Sequence, residues 1–259
     1  MLLLLGLMLL YSADCADLPC TAMPGLMKQL DAGNGELCGV TDNGNIFRWT
    51  NQNWVQLPGQ MRHVTVGPAG LWAVTQDYNI YNMRDNNWVQ VTGLLQQIDA
   101  GGDKFLVGTN FNDNVFCVNQ DAIDSKATSL PWSSLDRTLR YYSCGPLGCW
   151  GVNSDNQTFY RYSVTPTNCL GSQWSQVDGS LVMVEAGTDG SVYGVDPEGN
   201  VYKREGICPK NPTGISWTQL DLCSRIKHVS YDAGYLYLVT QMGHVLKCAL
   251  PESMAANLL

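Results

Sequence analysis

The chain has 259 residues, 45% of them hydrophobic and only 15% charged, with a formal net charge of −8. That length can build a sizeable apolar core, and an acidic balance without any Lys/Arg run argues against nucleic acid and anionic membrane surfaces as partners. Twenty-six glycines, 8 tryptophans and 12 tyrosines among so few charges favour short strands and turns. No stretch carries apolar residues at helical spacing, which excludes a helical bundle.

Residues 1–10 are almost all Leu and Met, followed by small residues at Ser12, Ala13, Cys15 and Ala16. The run is too short to cross a bilayer and fits the core of a secretory signal, predicted over 1–16 and cut between Ala13 and Asp17. No later apolar segment approaches ~18 residues, so the rest reads as soluble and extracellular. Nine cysteines remain after the signal. Without zinc spacing among them, disulfides are the expected use, with one thiol left over.

From residue 30 onward the chain repeats. Leu30-Asp31-Ala32-Gly33, Val64-Thr65-Val66-Gly67, Ile98-Asp99-Ala100-Gly101, Tyr142-Ser143-Cys144-Gly145, Val184-Glu185-Ala186-Gly187 and Val229-Ser230-Tyr231-Asp232 follow one another at steps of 34, 34, 44, 42 and 45 residues. Each is followed by a second apolar segment, as in Leu37-Cys38-Gly39-Val40, then an Asn/Asp/Gly turn such as Thr41-Asp42-Asn43-Gly44-Asn45, then a third apolar segment. The turn residues are hairpin chemistry. The first five units close on a Trp segment, at Trp54, Trp88, Trp132, Trp174 and Trp217.

Four strands repeated six times at ~40 residues predict an all-β, six-bladed β-propeller. The sixth unit lacks a closing Trp strand, whereas Cys20-Thr21-Ala22-Met23-Pro24-Gly25 precedes the first unit and parallels Trp54-Val55-Gln56-Leu57-Pro58-Gly59. The N-terminal strand is therefore expected to close the last blade. Blades are predicted near 27–59, 61–93, 95–136, 139–179, 181–220 and 225–248 plus 20–25, within a domain over 17–250, with 251–259 as a tail. Closure places Cys20 beside Cys248, and a bridge there would constrain nearly the whole chain. Cys144 and Cys149 flank one hairpin turn, Cys208 and Cys223 bracket the Trp217 strand, and Cys117 and Cys169 remain as a longer-range pair. Cys38 takes a mid-strand slot filled by Trp72, Val107, Trp150, Tyr193 and Tyr237 elsewhere, so it is expected buried and reduced.

Units carrying I-D-A-G, G-V-N/D, a hairpin and W-x-Q-L resemble tectonin repeats. Cys144 to Asn153 and Ala186 to Val195 carry the likeness furthest, and the cysteine layout is similar to that of fish-egg lectins and leukolectins, relatives of tachylectin-1. The resemblance spans roughly 20–250. It implies a secreted propeller that binds carbohydrate, N-acetylglucosamine and bacterial surface glycans among its ligands, with innate-defence roles in eggs and mucus.

The units alternate. The first, third and fifth carry an acid at one aligned inner-strand position (Asp31, Asp99, Glu185), and the others carry a hydroxyl (Thr65, Ser143, Ser230). A two-blade module repeated three times would place sites between an even blade and the next odd one, the acids pointing into inter-blade clefts. A sugar site needs an aromatic face for the apolar side of the ring and Asp/Asn groups for its hydroxyls. The candidates are Trp72, Asp99, Asp103 and Asn110 between blades 2 and 3, and Trp150, Asn153, Glu185 and Asp189 between blades 4 and 5. The same tryptophans would equally fill inter-blade core, and the acids would equally bond neighbouring strand ends. The closing tryptophans, present whatever the partner blade, read as core.

Asn156-Gln157-Thr158 is a glycosylation acceptor in a hairpin turn. No cofactor is required. The acid excess leaves room for a calcium ion in the channel, although no contiguous calcium loop exists. Enzyme chemistry is disfavoured: the eight Arg are scattered, there is no G-x-S-x-G elbow, and Asp99 and Glu185, from non-adjacent blades, are expected too far apart for paired acid–base work. The alternatives to a lectin are a scaffold for protein contacts, possible homodimers included, and, behind it, a propeller glycosidase.

Overall fold

A computed structural model describes residues 18–250; the expected signal segment 1–16, with Cys15, and the tail 251–259 lie outside the described residues. Among these, the strands form six four-stranded sheets, each pairing antiparallel from an inner strand at the axis to an outer strand at the rim. Blade 1 runs from Gln29–Gly33 to Asn53–Gln60, and blade 5 from Met183–Ala186 to Ser216–Leu220. Blade 6 takes three strands from Ile226–Asp232, Tyr235–Thr240 and His244–Ala249 and its fourth from Cys20–Leu26. The ring is closed by the N-terminal strand, with Cys20 directly opposite Cys248.

Burial follows radius. The inner strands Gln29–Gly33 and His63–Gly67 are buried at every position, whereas the outer strand Asn53–Gln60 is mostly exposed. The inner strands nevertheless alternate, Gln29, Asp31, His63 and Thr65 falling between Leu30, Ala32, Val64 and Val66, so one face of each carries buried polar groups and the other apolar ones. The core is divided into six clusters, one at each seam between neighbouring blades. Cys38, Val40 and Ile46 of blade 1 pack on Val64, Val66 and Leu71 of blade 2 in one such cluster. Val239 and Val245 of blade 6 pack on Leu30 and Leu37 of blade 1 in another, which completes the circle.

The repeated glycine after each inner strand has a steric cause. A Cβ on Gly67 would lie 1.9 Å from the Ala100 carbonyl oxygen of the next blade, so the inner strands meet closely only without a side chain there. At the last seam Asp232 replaces the glycine. Its carboxylate accepts the Gly35 N–H at 2.8 Å and the Thr188 hydroxyl at 2.6 Å, tying blades 1 and 5 to blade 6. The hairpin turns latch the blades as well. Gly44, Tyr78, Asp113, Asn156, Gly199 and Gly243 all have positive φ, and each carbonyl accepts an N–H from the segment leading into the next blade, as Asn156 O does from Leu181 at 2.9 Å.

Bridges join Cys20 to Cys248, Cys117 to Cys169 and Cys144 to Cys149. Cys38 is a buried free thiol, its pKa pushed up to about 12 by burial. The expected Cys208–Cys223 bridge is not formed: both are free thiols, Cys223 exposed. Cys208 sits in a turn closed on Asn211, ahead of the strand Ser216–Leu220, whose two ends stand roughly 13 Å apart at about 3.3 Å per residue. No helix among the described residues is long and apolar enough to cross a membrane.

Candidate functional site

Two places gather polar chemistry: the channel and the outer inter-blade clefts. In the channel, the alternating acids and hydroxyls form one ring. Val66 N–H donates to Asp31 Oδ2 at 2.7 Å, Ala100 N–H to Thr65 Oγ1 at 2.9 Å, Cys144 N–H to Asp99 Oδ1 at 3.1 Å and Ala186 N–H to Ser143 Oγ at 3.0 Å. Ala32 N–H closes the circle onto Ser230 Oγ at 2.9 Å. Ser143 Oγ lies 3.2 Å from Glu185 Oε2. All six ring side chains are buried.

This corrects two expectations. The acids do occupy inter-blade seams, but at their innermost end, where they face one another around the axis. Asp99 and Glu185 are thus in electrostatic reach, because the six inner strands converge. Burial raises all three carboxyls, with Asp31 at about 6; the charge of Asp31 adds to the effect at Asp99, which stands at about 7, and the charges of Asp31 and Asp99 add to it at Glu185. The ring is occupied with holding the blades together. Among the described residues no group of three or more His, Cys, Asp or Glu is placed to hold a metal ion.

The remaining candidates do not come together. Trp72 and Trp150 are 1% and 2% exposed, and the Trp72 indole N–H is bonded to Ala69 O at 2.8 Å. Asn110 and Asn153 organise hairpin turns, Asn153 Oδ1 accepting the Gln157 N–H at 2.8 Å. Asp103 Oδ1 accepts the Lys104 N–H, and Asp189 Oδ1 accepts Ser191 N–H and hydroxyl. Asn110 and Asn153 follow second strands, whereas Asp103 and Asp189 follow inner strands. Antiparallel pairing sends these to opposite ends of a blade, and the aligned spacing of a repeat conceals it.

What the seam between blades 4 and 5 does offer lies farther out. Trp217 and Tyr202, the stretch Gly179 to Leu181 and the turn Asp196-Pro197-Glu198 line a cleft of about 300 Å³, the lower end of the range for small-molecule sites. The Trp217 indole N–H reaches across the seam to Asp178 O at 2.8 Å. Gly179 makes room for it, since a Cβ there would sit 2.9 Å from Trp217 Nε1. Trp150 stands edge-on behind Trp217, ring centroids 6.0 Å apart, so the buried candidate tryptophan backs the half-buried one. Asp196 Oδ2 accepts from Tyr202 OH at 3.1 Å and from Asn200 Nδ2 at 2.7 Å. Burial works against its ionisation, but these hydrogen bonds prevail and hold the carboxyl below its usual range. Glu198 is exposed on the same turn.

The closing tryptophans are thus half-buried clamps rather than core. Trp54 and Trp88 repeat the motif by donating to Pro24 O and Pro58 O, both at 2.8 Å. At the seam of blades 3 and 4, Arg137 covers that face, 3.9 Å over the Phe159 ring and 5.5 Å from the Trp174 ring. The sequence signal that marks the 4/5 cleft is an acidic Asp-Pro-Glu turn in a unit that also carries a closing Trp.

Several solved structures share the fold. YCF48 bound to D1 peptide is 12% identical with a TM-score of 0.57 over 92% of this chain and 98% of that chain. Human WBSCR16 is 11% identical with a TM-score of 0.57 over 90% and 73%. A virginiamycin B lyase from Staphylococcus aureus is 13% identical with a TM-score of 0.58 over 86% and 80%. At such identities they speak to the fold alone. A family model of the Tectonin domain matches residues 26–241. The fish-egg lectin of Cyprinus carpio is 45% identical over 238 residues, covering 91% of this chain and all of that protein. A match of that extent, on a closed ring of six such repeats, makes the chain a member of the tectonin family.

Proposed function

We propose that the protein is a secreted lectin that holds N-acetylglucosamine-type sugars, including those of bacterial surfaces, in the cleft between blades 4 and 5. It acts by binding and not by catalysis. The carrying observation is the pairing of the Trp217 and Tyr202 rings with the fixed Asp196 carboxylate in a cleft of about 300 Å³. An aromatic face takes the apolar side of a pyranose while a preset acceptor takes its hydroxyls. Kinship to a fish-egg lectin supports the reading. Three disulfides fit an oxidising compartment, and with the apolar run at 1–10 they support export. The indole clamp recurs at other seams, so weak sites on one rigid disc would gain avidity on arrayed microbial or egg-coat glycans.

The test is retention on N-acetylglucosamine-agarose, with elution by free sugar. Tyr202→Ala and Glu198→Ala are expected to weaken retention at least tenfold; Glu198 is exposed and its variant should keep the wild-type thermal unfolding, whereas Tyr202 packs on the seam core and its variant should lose some stability as well. Unaltered retention would move the sugar elsewhere on the disc. No retention on any glycan would leave a scaffold for protein contacts.

A further inference from the structure

The mouth of the channel above the acid ring carries a second arrangement. Three residues before the ring positions, blades 1, 2, 4 and 6 present Lys28, Arg62, Arg140 and Lys227. These are four of the chain's 15 basic residues, gathered at one end of the axis in a protein of net charge −8. One residue further in, His63, Tyr141 and His228 come from alternate blades and meet about the axis, with ring centroids 5.9–6.3 Å apart. Tyr141 OH and His228 Nε2 share a hydrogen bond of 3.0 Å. Both histidines are more than nine-tenths buried, and neither ring nitrogen of His63 nor Nδ1 of His228 has a protein partner. Lys28, Arg62, Arg140 and these three rings line a cavity of about 530 Å³.

We propose that this mouth is a binding site for a tetrahedral oxyanion ester, a phosphate or sulfate group carried on a sugar-sized body. It goes beyond the sugar cleft and does not depend on it. A cation is disfavoured there, because Coulomb repulsion from the collar adds to the cost of desolvating the ion. The four cations of the collar outnumber the acids beside them: Asp113 in the wall, which accepts from Gln96 Nε2 at 3.3 Å, and Asp42, which raises Lys28. The ring acids Asp31, Asp99 and Glu185 act on Tyr141 from below, and burial favours their protonated form. The basic groups strain against one another. Burial, then Arg62 and Lys227, lower the Lys28 ammonium despite Asp42, and burial, then His228, Lys28 and Arg62, lower His63. An anion relieves that repulsion, and the neutral His63 imidazole, bonded at neither nitrogen, has an N–H to offer it. Arg and Lys around a shared centre suit a tetrahedral oxyanion, and the cavity exceeds a bare ion, leaving room for the group that bears it.

The test is calorimetric titration at low ionic strength with glucose 6-phosphate, inorganic phosphate and inorganic sulfate, and with glucose as the neutral control. One site per chain is expected for an anion and none for glucose. Lys28→Gln combined with Arg62→Gln should weaken binding at least tenfold and His63→Asn several-fold, while a cooperative thermal unfolding transition close to that of the wild type reports a folded disc. Tighter binding of glucose 6-phosphate than of inorganic phosphate would assign an ester, and the phosphate and sulfate arms would separate the two ions. Absence of saturable binding by all three anions would overturn the proposal. So would binding that the collar variants leave unchanged, or uptake of zinc by the histidine pair with no anion bound.

Discussion

Ser230 Oγ stands 3.0 Å from Asp31 Oδ1 and 3.0 Å from Glu185 Oε1, so one hydroxyl of the last blade joins the first blade to the fifth. A hydroxyl has a single proton to give, and two ionised carboxylates around it would compete for that proton. The ring is satisfied when its acids retain protons, and burial favours that form. The channel is therefore a titratable fastener.

Its titration predicts a pH dependence. Asp31 and Asp99 hold protons up to about 6 and about 7 in the folded chain, whereas carboxyls in the unfolded chain release them near 4. Their contribution is thus full below about pH 4 and lost as pH rises toward 7. His63 and His228 act oppositely: both are lowered, His228 to about 3, so they cost stability below about pH 6.5. Asp99→Asn keeps an oxygen for the Gly101 and Cys144 N–H groups but cannot ionise. Relative to wild type it should gain about 2 kcal/mol in thermal unfolding between pH 5 and pH 8. An equal difference at both pH values would show that Asp99 does not titrate in this range.

Closure of the disc predicts the weight of one disulfide. Cys20 and Cys248 are 228 residues apart, and the chain-entropy account assigns a loop of that length about 5 kcal/mol. Replacing both by Ser should lower the guanidinium midpoint strongly and free the N-terminal strand to early proteolysis. The Cys144–Cys149 bridge spans 5 residues, and its removal should cost much less. Equal losses would mean that the bridges stabilise locally and that closure rests on strand pairing.

Thiol reactivity checks the cysteine assignment. Cys223 is exposed and Cys208 partly so, whereas Cys38 is 0% exposed and its thiol stands at about 12. In the native protein Ellman's reagent should react rapidly with Cys223, more slowly with Cys208, and with Cys38 only after denaturation, because the thiolate is the reactive form. Without any native reactivity, Cys208 and Cys223 would be paired after all, and the loops around the Trp217 strand rearranged.

The architecture was legible because a propeller repeats its local rules. The glycine after Val66, the hairpin turns with a positive φ and the closing tryptophans each recur for one steric or hydrogen-bonding reason, so their spacing reveals the blades. The closing strand 20–25 was found the same way, by the place it lacks in unit six. The site was not legible on the same terms. Asn153 and Asp189 sit near the same aligned motifs yet at opposite ends of their blades, and Trp150 and Trp217 carry the same side chain at different radii. Only packing decides that the first is wall and the second is face.

The sequence by itself determined the six-fold periodicity, the strand that closes it and the alternation of acids with hydroxyls, because these depend on neighbours along the chain or on register. The tertiary structure alone decided what converges at the axis and what opens at the rim. Asp31, Asp99 and Glu185 become one ring, and His63, Tyr141 and His228 one cluster, because curvature brings residues from separate blades to a common centre. That curvature is set by how closely adjacent inner strands pack, where Gly67 leaves no space for a Cβ. It is a sum over seams that no single repeat contains.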